Sequence, residues 1–137
     1  MKIWGIGANW GDKSMLADFQ VKEAVGIGWS EKQAPALYAM MNEIEIGDIV
    51  YVKSFVIHSR ELKIKAVGEV ISNSFEEPNV FGSDHRTVHV KWKEGSSADD
   101  DSRPPHRITQ AQFRYNVYLN TLYREYNPKI IEEVLNF

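Results

Sequence analysis

The sequence predicts an α+β fold in which antiparallel or mixed strands form a barrel with helices on its outside. A run of strand patterns occupies residues 49–92, where β-branched and aromatic residues alternate with polar ones. Helical spacing of apolar residues occurs before this run and again at the end of the chain. A length of 137 residues fits a single domain, which we expect to span residues 1–137.

Short strands and helices are predicted to alternate in the first part of the chain. Lys2–Ile6 has the pattern of a strand, and the glycines that follow it predict a turn. Asp12 or Ser14 can cap a short helix that continues to Lys22. The segment "AVGIGW" at residues 24–29 then predicts a second strand.

The middle of the chain is predicted to form one helix and three longer strands. Pro35 suits the first turn of the helix. Its apolar stripe consists of Leu37, Met40, Met41 and Ile44. A tight turn at Gly47-Asp48 precedes a strand over residues 49–57. Two alternating strands follow, "LKIKAVGEVI" with its lysines pointing outward and "RTVHVKW" at residues 86–92.

The last third of the chain is predicted to contain an exposed loop and helices. Residues 94–105, "EGSSADDDSRPP", are acidic and Ser-rich and end in two prolines, which is typical of a mobile loop. The aromatic segment at residues 113–126 is predicted to be helical in its second half. Asn127 caps and Pro128 begins a last helix. The apolar stripe of that helix consists of Ile130, Ile131, Val134 and Leu135.

The composition excludes several classes of protein. The chain has no cysteine, which rules out disulfides, thiolate metal sites and cysteine nucleophiles. No apolar run approaches the roughly 18–20 residues that span a bilayer, and Gly5 and Gly7 interrupt any signal peptide. We therefore expect a cytoplasmic protein that does not contact membranes. A net charge of −3 argues against coating nucleic acid by bulk electrostatics, while clusters of basic residues leave local basic faces open.

The sequence contains residue types that occur in catalytic and metal sites, but no complete motif surrounds them. "GIGANWG" places its third glycine one residue too late for a dinucleotide-binding loop. His85 and His89 have no third ligand at a recognisable spacing. Asp48, Ser54 and His58 are the residue types of a hydrolytic triad, but no nucleophile elbow surrounds them. We expect no enzyme activity, no metal and no cofactor.

The four tryptophans are the most informative side chains. Trp4 and Trp92 lie within strand patterns and are expected in the core or near it. Trp10 lies in a glycine-flanked loop, and Trp29 ends a predicted strand just before a polar turn. Rings at such positions can form the walls of a pocket, or Trp10 can simply cover the core. The residues alone leave both alternatives open.

Four segments, in this order and at these spacings, resemble a known family: "KIWGIGANWG", "DFQVKEAVGIGW", "IEIGDIVYVKSF" and "KIKAVGEVI". Together they are similar to the EVE domain of the PUA-like superfamily, which is related to YTH and ASCH domains. The likeness is greatest to the N-terminal domains of modification-dependent restriction GTPases, and it covers residues 2–74 best. The resemblance implies a pseudo-β-barrel of mostly antiparallel or mixed strands with peripheral helices.

The resemblance also implies a pocket for a modified base, such as a methylated one, in single-stranded or flipped DNA or RNA. The family suggests a role in phage defence or in sensing modified nucleic acid, with an effector protein as a further partner. In this chain Trp10 and Trp29 would enclose the base, as aromatic walls do in related YTH and SRA-type domains. The hydrogen-bonding edge of the base would meet Asn9 and Ser54. The remaining implied contacts are Phe55 to the base and Lys53 or Arg60 to a phosphate.

Other functions remain open from the residues. The aromatic C-terminal segment can form a protein interface, because tyrosine is enriched at interfaces. The tyrosines concerned are Tyr115, Tyr118, Tyr123 and Tyr126. Alternatively, the pocket accepts a nucleoside-like metabolite without binding nucleic acid, or the protein hydrolyses a modified nucleoside.

Overall fold

The computed structural model describes residues 1–56, 61–74, 76, 78–96, 106–109 and 118–137. Within them the α+β prediction is confirmed, since three helices accompany a curled, mixed half-barrel sheet. The strands are β1 (Ile3–Gly7), β2 (Asn9–Trp10), β3 (Lys13–Ser14), β4 (Ala24–Val25), β5 (Ile49–Val56), β6 (Glu61–Ser72), β7 (Val88–Trp92), β8 (His106–Thr109) and β9 (Leu122–Arg124). The helices are α1 (Leu16–Lys22), α2 (Pro35–Met41) and α3 (Pro128–Leu135).

The strands of the sheet follow the order β4-β7-β6-β5-β1-β9, and β8 also pairs with β6. β1 and β5 are parallel, and the other neighbours are antiparallel. β2 and β3 form a separate hairpin. The register of β6 shifts against β5 and again against β7. Such irregularities bend a strand, which fits the curl of the sheet.

Alternating side chains build an apolar core on each face of the sheet. Core A includes Trp4, Ile6, Leu16, Phe19, Val25, Ile27, Tyr38, Met41, Val52, Val90 and Leu122. Core B includes Ile3, Ile49, Tyr51, Leu62, Ile64, Val67, Tyr118, Tyr123, Ile130 and Val134. The predicted core position of Trp4 is confirmed. Trp92 packs against core A, and its indole N–H donates to the carbonyl of Phe19 at 2.8 Å.

The C-terminal end of the chain differs from the prediction in one element. Residues 122–124 form strand β9 rather than a helix, because they pair antiparallel with β1. The alternation of a strand places Leu122 in core A and Tyr123 in core B. The last helix is as predicted: the side chain of Asn127 accepts the backbone N–H of Lys129 at 3.0 Å.

The first part of the chain follows the predicted order with shifted boundaries. α1 ends at Lys22 as predicted, and the hydroxyl of Ser14 accepts the N–H of Leu16 at 3.4 Å, although Met15 occupies the cap position. The second predicted strand ends early, at Val25. Most of the predicted acidic loop, residues 97–105, lies outside the described residues. No helix in the described part of the chain is long and apolar enough to cross a membrane.

Asp48 connects the turn before β5 to the start of the chain through hydrogen bonds. Its buried carboxylate accepts the indole N–H of Trp4 at 3.0 Å and the backbone N–H groups of Lys2 and Glu45 at 2.9 Å. Burial alone would raise the pKa of Asp48, but these donors and the Lys2 amine, 3.6 Å away, lower it. The predicted tight turn is confirmed, and Gly47 adopts a φ of +91° there.

We expect Asp48→Asn to destabilise the fold by about 2 kcal/mol at neutral pH, because the new amide N–H₂ would face other donors. Folding lowers the pKa of the Asp48 carboxyl group. The stabilisation that its carboxylate gives the fold is therefore fully present above the ordinary pKa of 3.8, and it is lost as the pH falls through the pKa of the folded state. Urea unfolding of both proteins over a pH series measures the difference. A difference that stays constant as the pH falls below 3.8 would contradict this account.

Candidate binding cleft

A cleft of about 390 Å³ opens beside the loop that joins β4 to α2. α2 and the loop that leads into β7 complete its lining. The lining residues are Ser30, Glu31, Lys32, Tyr38, Asn79, Ser83, Asp84 and Arg86. Pockets for small ligands measure about 300–1,000 Å³, so the cleft is large enough for one flat heterocycle.

Tyr38 ties together the two loops that form the walls of the cleft. Its ring is buried in core A. Its hydroxyl lies 2.8 Å from the carbonyl oxygen of Trp29 and 3.1 Å from that of Asp84, and its single proton is shared between these two acceptors. Burial raises the pKa of Tyr38, so the hydroxyl keeps its proton at neutral pH. One buried hydroxyl therefore sets the spacing of the walls.

Arg86 gives the cleft a fixed positive charge. The residue is buried, and its guanidinium donates to the side chain of Asn42 and to the side-chain oxygen of Asn73 at 2.7 Å. Burial lowers the pKa of Arg86, and the nearby carboxylate of Glu31 opposes that shift. Arginine stays protonated in proteins, and these two amide side chains orient the guanidinium.

Trp29 is 46% exposed and is not itself among the residues that line the cleft. It directly precedes Ser30 of the lining, and its carbonyl is held by Tyr38. The backbone at this residue is therefore fixed while the indole faces solvent. An exposed aromatic ring beside a polar cleft is a surface on which a planar ligand can stack.

Trp10 packs against core A rather than pairing with Trp29. Its ring centroid lies 5.0 Å from that of His85, with 30° between the planes. It also makes edge contacts with Phe81 at 5.6 Å and Phe19 at 6.2 Å. Trp29 is not among the ring contacts of Trp10 in the described part of the chain. The sandwich of the two rings around a base, which the resemblance implied, stays a prediction.

The glycines of "GIGW" accommodate the ring of Trp10. A Cβ atom at Gly28 would lie 3.0 Å from Cγ of Trp10, and one at Gly26 would lie 3.2 Å from a ring carbon of Phe81. Both distances are shorter than ordinary carbon contacts. These glycines let the backbone approach aromatic rings of the protein itself.

Two predicted site residues lie on the side of core B. The amine of Lys53 donates to the carbonyl of Tyr118 at 2.7 Å. The ring of Phe55 lies 5.9 Å from that of Tyr118 and packs against core B. Neither residue lines the cleft beside Trp29.

Asn9 and Ser54 do not line the cleft either. Asn9 is exposed on the hairpin of β2 and β3. Ser54 is half-buried on β5, opposite Lys63 of β6. Arg60 lies outside the described residues. The ligand contacts implied for these residues stay predictions.

The predicted tyrosine interface is wrong for two of its residues. Tyr118 and Tyr123 are 5% and 3% exposed, so neither can form a surface. They are buried because their hydroxyls join a hydrogen-bond network around Glu125 in core B. Tyr126 is 72% exposed, and Tyr115 lies outside the described residues.

Sequence patterns did not identify Tyr38 and Arg86 as cleft residues. Tyr38 lies next to the apolar stripe of α2. A buried tyrosine hydroxyl usually needs a hydrogen-bond partner, and this need was the signal in the sequence that could have identified Tyr38. Arg86 was assigned to a predicted strand, but β7 begins at Val88. Arg86 therefore belongs to the loop that carries one wall of the cleft.

The predicted pair of histidines does not form a metal centre in the structure. His85 stacks on Trp10, and its Nδ1 lies 3.0 Å from the carbonyl oxygen of Ile27. His89 is on β7 and pairs with Ala24. Across the residues that the structure describes, no three His, Asp or Glu side chains are grouped closely enough to hold a metal ion.

No protein-family model matches the chain, and no curated protein matches it. Its function is therefore inferred from the geometry of the cleft and from the residues that surround it.

Proposed function

We propose that this domain binds a modified base of DNA or RNA, without catalysing a reaction, by stacking the base on Trp29 and directing its polar edge into the cleft. The supporting observation is the exposed indole of Trp29, a residue that directly precedes Ser30 in the lining of a polar cleft of about 390 Å³. Stacking on an aromatic side chain contributes about 1–3 kcal/mol per base. The resemblance of the sequence to EVE domains agrees with this proposal.

The cleft supplies both donors and acceptors for the edge of a base. Ser30 and Asn79 can donate and accept, and Asp84 can accept from an exocyclic amino group. A single buried methyl group contributes about 0.8 kcal/mol, which is about fourfold in affinity. Stronger selectivity requires that the unmodified base leave a polar group of the cleft unpaired.

The charges of the cleft favour recognition of a base over retention of a phosphate backbone. Lys32 and Arg86 are balanced by Glu31 and Asp84, and the whole chain carries a net charge of −3. Release of counterions therefore contributes little to affinity. Flipping a paired base costs a few kcal/mol, so we expect micromolar binding to single-stranded or already distorted sites.

Replacing Trp29 tests the proposal. We expect Trp29→Ala to weaken binding of a methylated single-stranded oligonucleotide by about 5- to 150-fold, because it removes one stacking surface. Titration of the wild-type protein should quench tryptophan emission, and fluorescence anisotropy of a labelled oligonucleotide measures the affinity of both proteins. Unmodified oligonucleotides of the same sequence provide the comparison for selectivity.

Tyr126→Ala is a matched control, because Tyr126 is also an exposed aromatic residue but has no sequence neighbour that lines the cleft. It should leave the affinity unchanged. Equal losses in the two variants, or no binding of any modified oligonucleotide at tens of micromolar, would count against base recognition. Equal affinity for the modified nucleoside alone, with no dependence on salt, would identify a metabolite pocket instead.

A further inference from the structure

Lys53 places a half-buried amine among aromatic rings on the side of core B. It lies on β5 opposite Gly7 of β1, where a Cβ atom would be only 3.8 Å from the amine. The amine lies 5.8 Å from the ring centroid of Tyr123. The ring of Phe55 packs against the same core. The amine therefore has apolar surroundings without being sealed from solvent.

The polar partner of this amine is a carbonyl group rather than a carboxylate. Lys53 donates to the carbonyl of Tyr118 at 2.7 Å, and no carboxylate oxygen of the described residues lies within 4 Å of it. The amine of Lys2, in contrast, contacts the carboxylates of Glu45 and Asp48. The described partners of the Lys53 ammonium, this neutral carbonyl and the ring of Tyr123, thus supply no opposite charge to it.

Burial lowers the pKa of Lys53 to about 8. About a tenth of these amines are then neutral at pH 7, against fewer than about one in a thousand for an ordinary lysine. The neutral form carries the lone pair that attacks an electrophile. Desolvated lysines in apolar pockets serve as nucleophiles for this reason.

We propose that Lys53 is a site of covalent modification by aldehydes or ketones, which it captures as a Schiff base. The lone pair of Nζ attacks the carbonyl carbon and forms a carbinolamine. The carbonyl oxygen then leaves as water with the two hydrogens of the neutral amine, and a C=N bond remains. No oxidant or reductant is needed for this step. The site is separate from the cleft beside Trp29 and does not depend on base binding.

Reductive labelling tests the proposal on the full chain. The protein is treated with propanal and cyanoborohydride at pH 7, and labelled peptides are quantified by mass spectrometry. We expect Lys53 to be labelled about tenfold faster than Lys63, a half-buried lysine of the adjacent strand. The labelling rate at Lys53 should rise with pH and level off above pH 8, where its amine is neutral.

Lys53→Arg keeps the positive charge and a donor toward Tyr118, so the variant should fold and lose only this label. Circular dichroism and labelling of the other lysines verify that its fold is kept. In urea, where the protein is unfolded, Lys53 and Lys63 should be labelled at the same rate. Equal labelling rates at the two lysines in the folded protein, or a labelling rate at Lys53 that does not level off above pH 8, would overturn the proposal.

Discussion

Replacing Gly5 by alanine is expected to destabilise the domain by about 3 kcal/mol or more and to lower its Tm by about 10 °C. A Cβ atom at Gly5 would lie 2.4 Å from Cζ of Tyr123 and 2.5 Å from its hydroxyl oxygen. The ring of Tyr123 is fixed, because it packs edge-on against Tyr118 at 5.3 Å and its hydroxyl lies 2.6 Å from that of Tyr51. Strand β1 or the ring must therefore move, and core B loses its packing.

Gly7→Ala is the matched control for Gly5→Ala. Gly7 lies two residues further along the same strand, and a Cβ atom there would make ordinary contacts of 3.8 Å with Lys53. We expect this variant to stay within about 1 kcal/mol of the wild type. Urea unfolding of the wild type and of the two variants gives the change in unfolding free energy for each substitution. A Gly5→Ala variant as stable as Gly7→Ala would show that core B tolerates the added methyl group.

The elements that were predicted correctly have signals within a few neighbouring residues. Asn127 and Pro128 are a cap and a first-turn residue, and both act on the backbone next to them. The alternation in β6 depends only on the residues of that strand, and its lysines at 63 and 65 are more exposed than Leu62 and Ile64. Such signals do not depend on the rest of the fold.

Strand β9 was not predictable from its own residues. Its aromatic-rich sequence suits a helix or a strand, and its pairing with β1 decides between them. Gly5 contributes to that pairing, because the absence of a side chain leaves space for Tyr123 directly opposite it. The two residues are far apart in the sequence, and neither one predicts the other.

The residues that line the cleft were not predicted, for the same reason. Trp29 was predicted to form a wall because a large ring before a polar turn is unusual; the ring is exposed, but Trp29 is not among the residues that line the cleft. The opposite wall comes from residues 79–86, a loop without periodicity. Trp10 looked similar in sequence, but Phe81 and His85 of that same loop pack against its ring. Tertiary contacts thus separate two tryptophans that local sequence cannot distinguish.

Glu125→Ala is expected to cost about 4 kcal/mol of unfolding free energy, because it removes the acceptor at the centre of a buried network. Glu125 is buried, and its Oε1 accepts the hydroxyl of Tyr51 at 2.6 Å. Its Oε2 accepts the hydroxyl of Tyr118 at 3.0 Å and the backbone N–H groups of Tyr126 and Asn127 at 3.2 Å. Alanine would leave these donors without their acceptor and would open a cavity in core B.

The direction of the hydrogen bonds means that removing Glu125 also affects a residue that does not contact it, Tyr123. Burial raises the pKa of Tyr51 and of Tyr123, so both hydroxyls keep their protons. Tyr51 has one proton and gives it to Glu125, which leaves Tyr123 as the donor in the contact of 2.6 Å between the two hydroxyls. Removing the carboxylate therefore disturbs the orientation of both rings.

Glu125→Gln separates the acceptor role from simple packing. The glutamine oxygen can still accept the two backbone N–H groups, and its N–H₂ can donate to Tyr51, so we expect a loss of only about 1–2 kcal/mol. Glu132→Ala, on the exposed face of α3, should change stability by less than about 0.5 kcal/mol. Denaturant unfolding followed by circular dichroism ranks the three variants. Equal losses for Glu125→Ala and Glu132→Ala would mean that the buried network does not stabilise the fold.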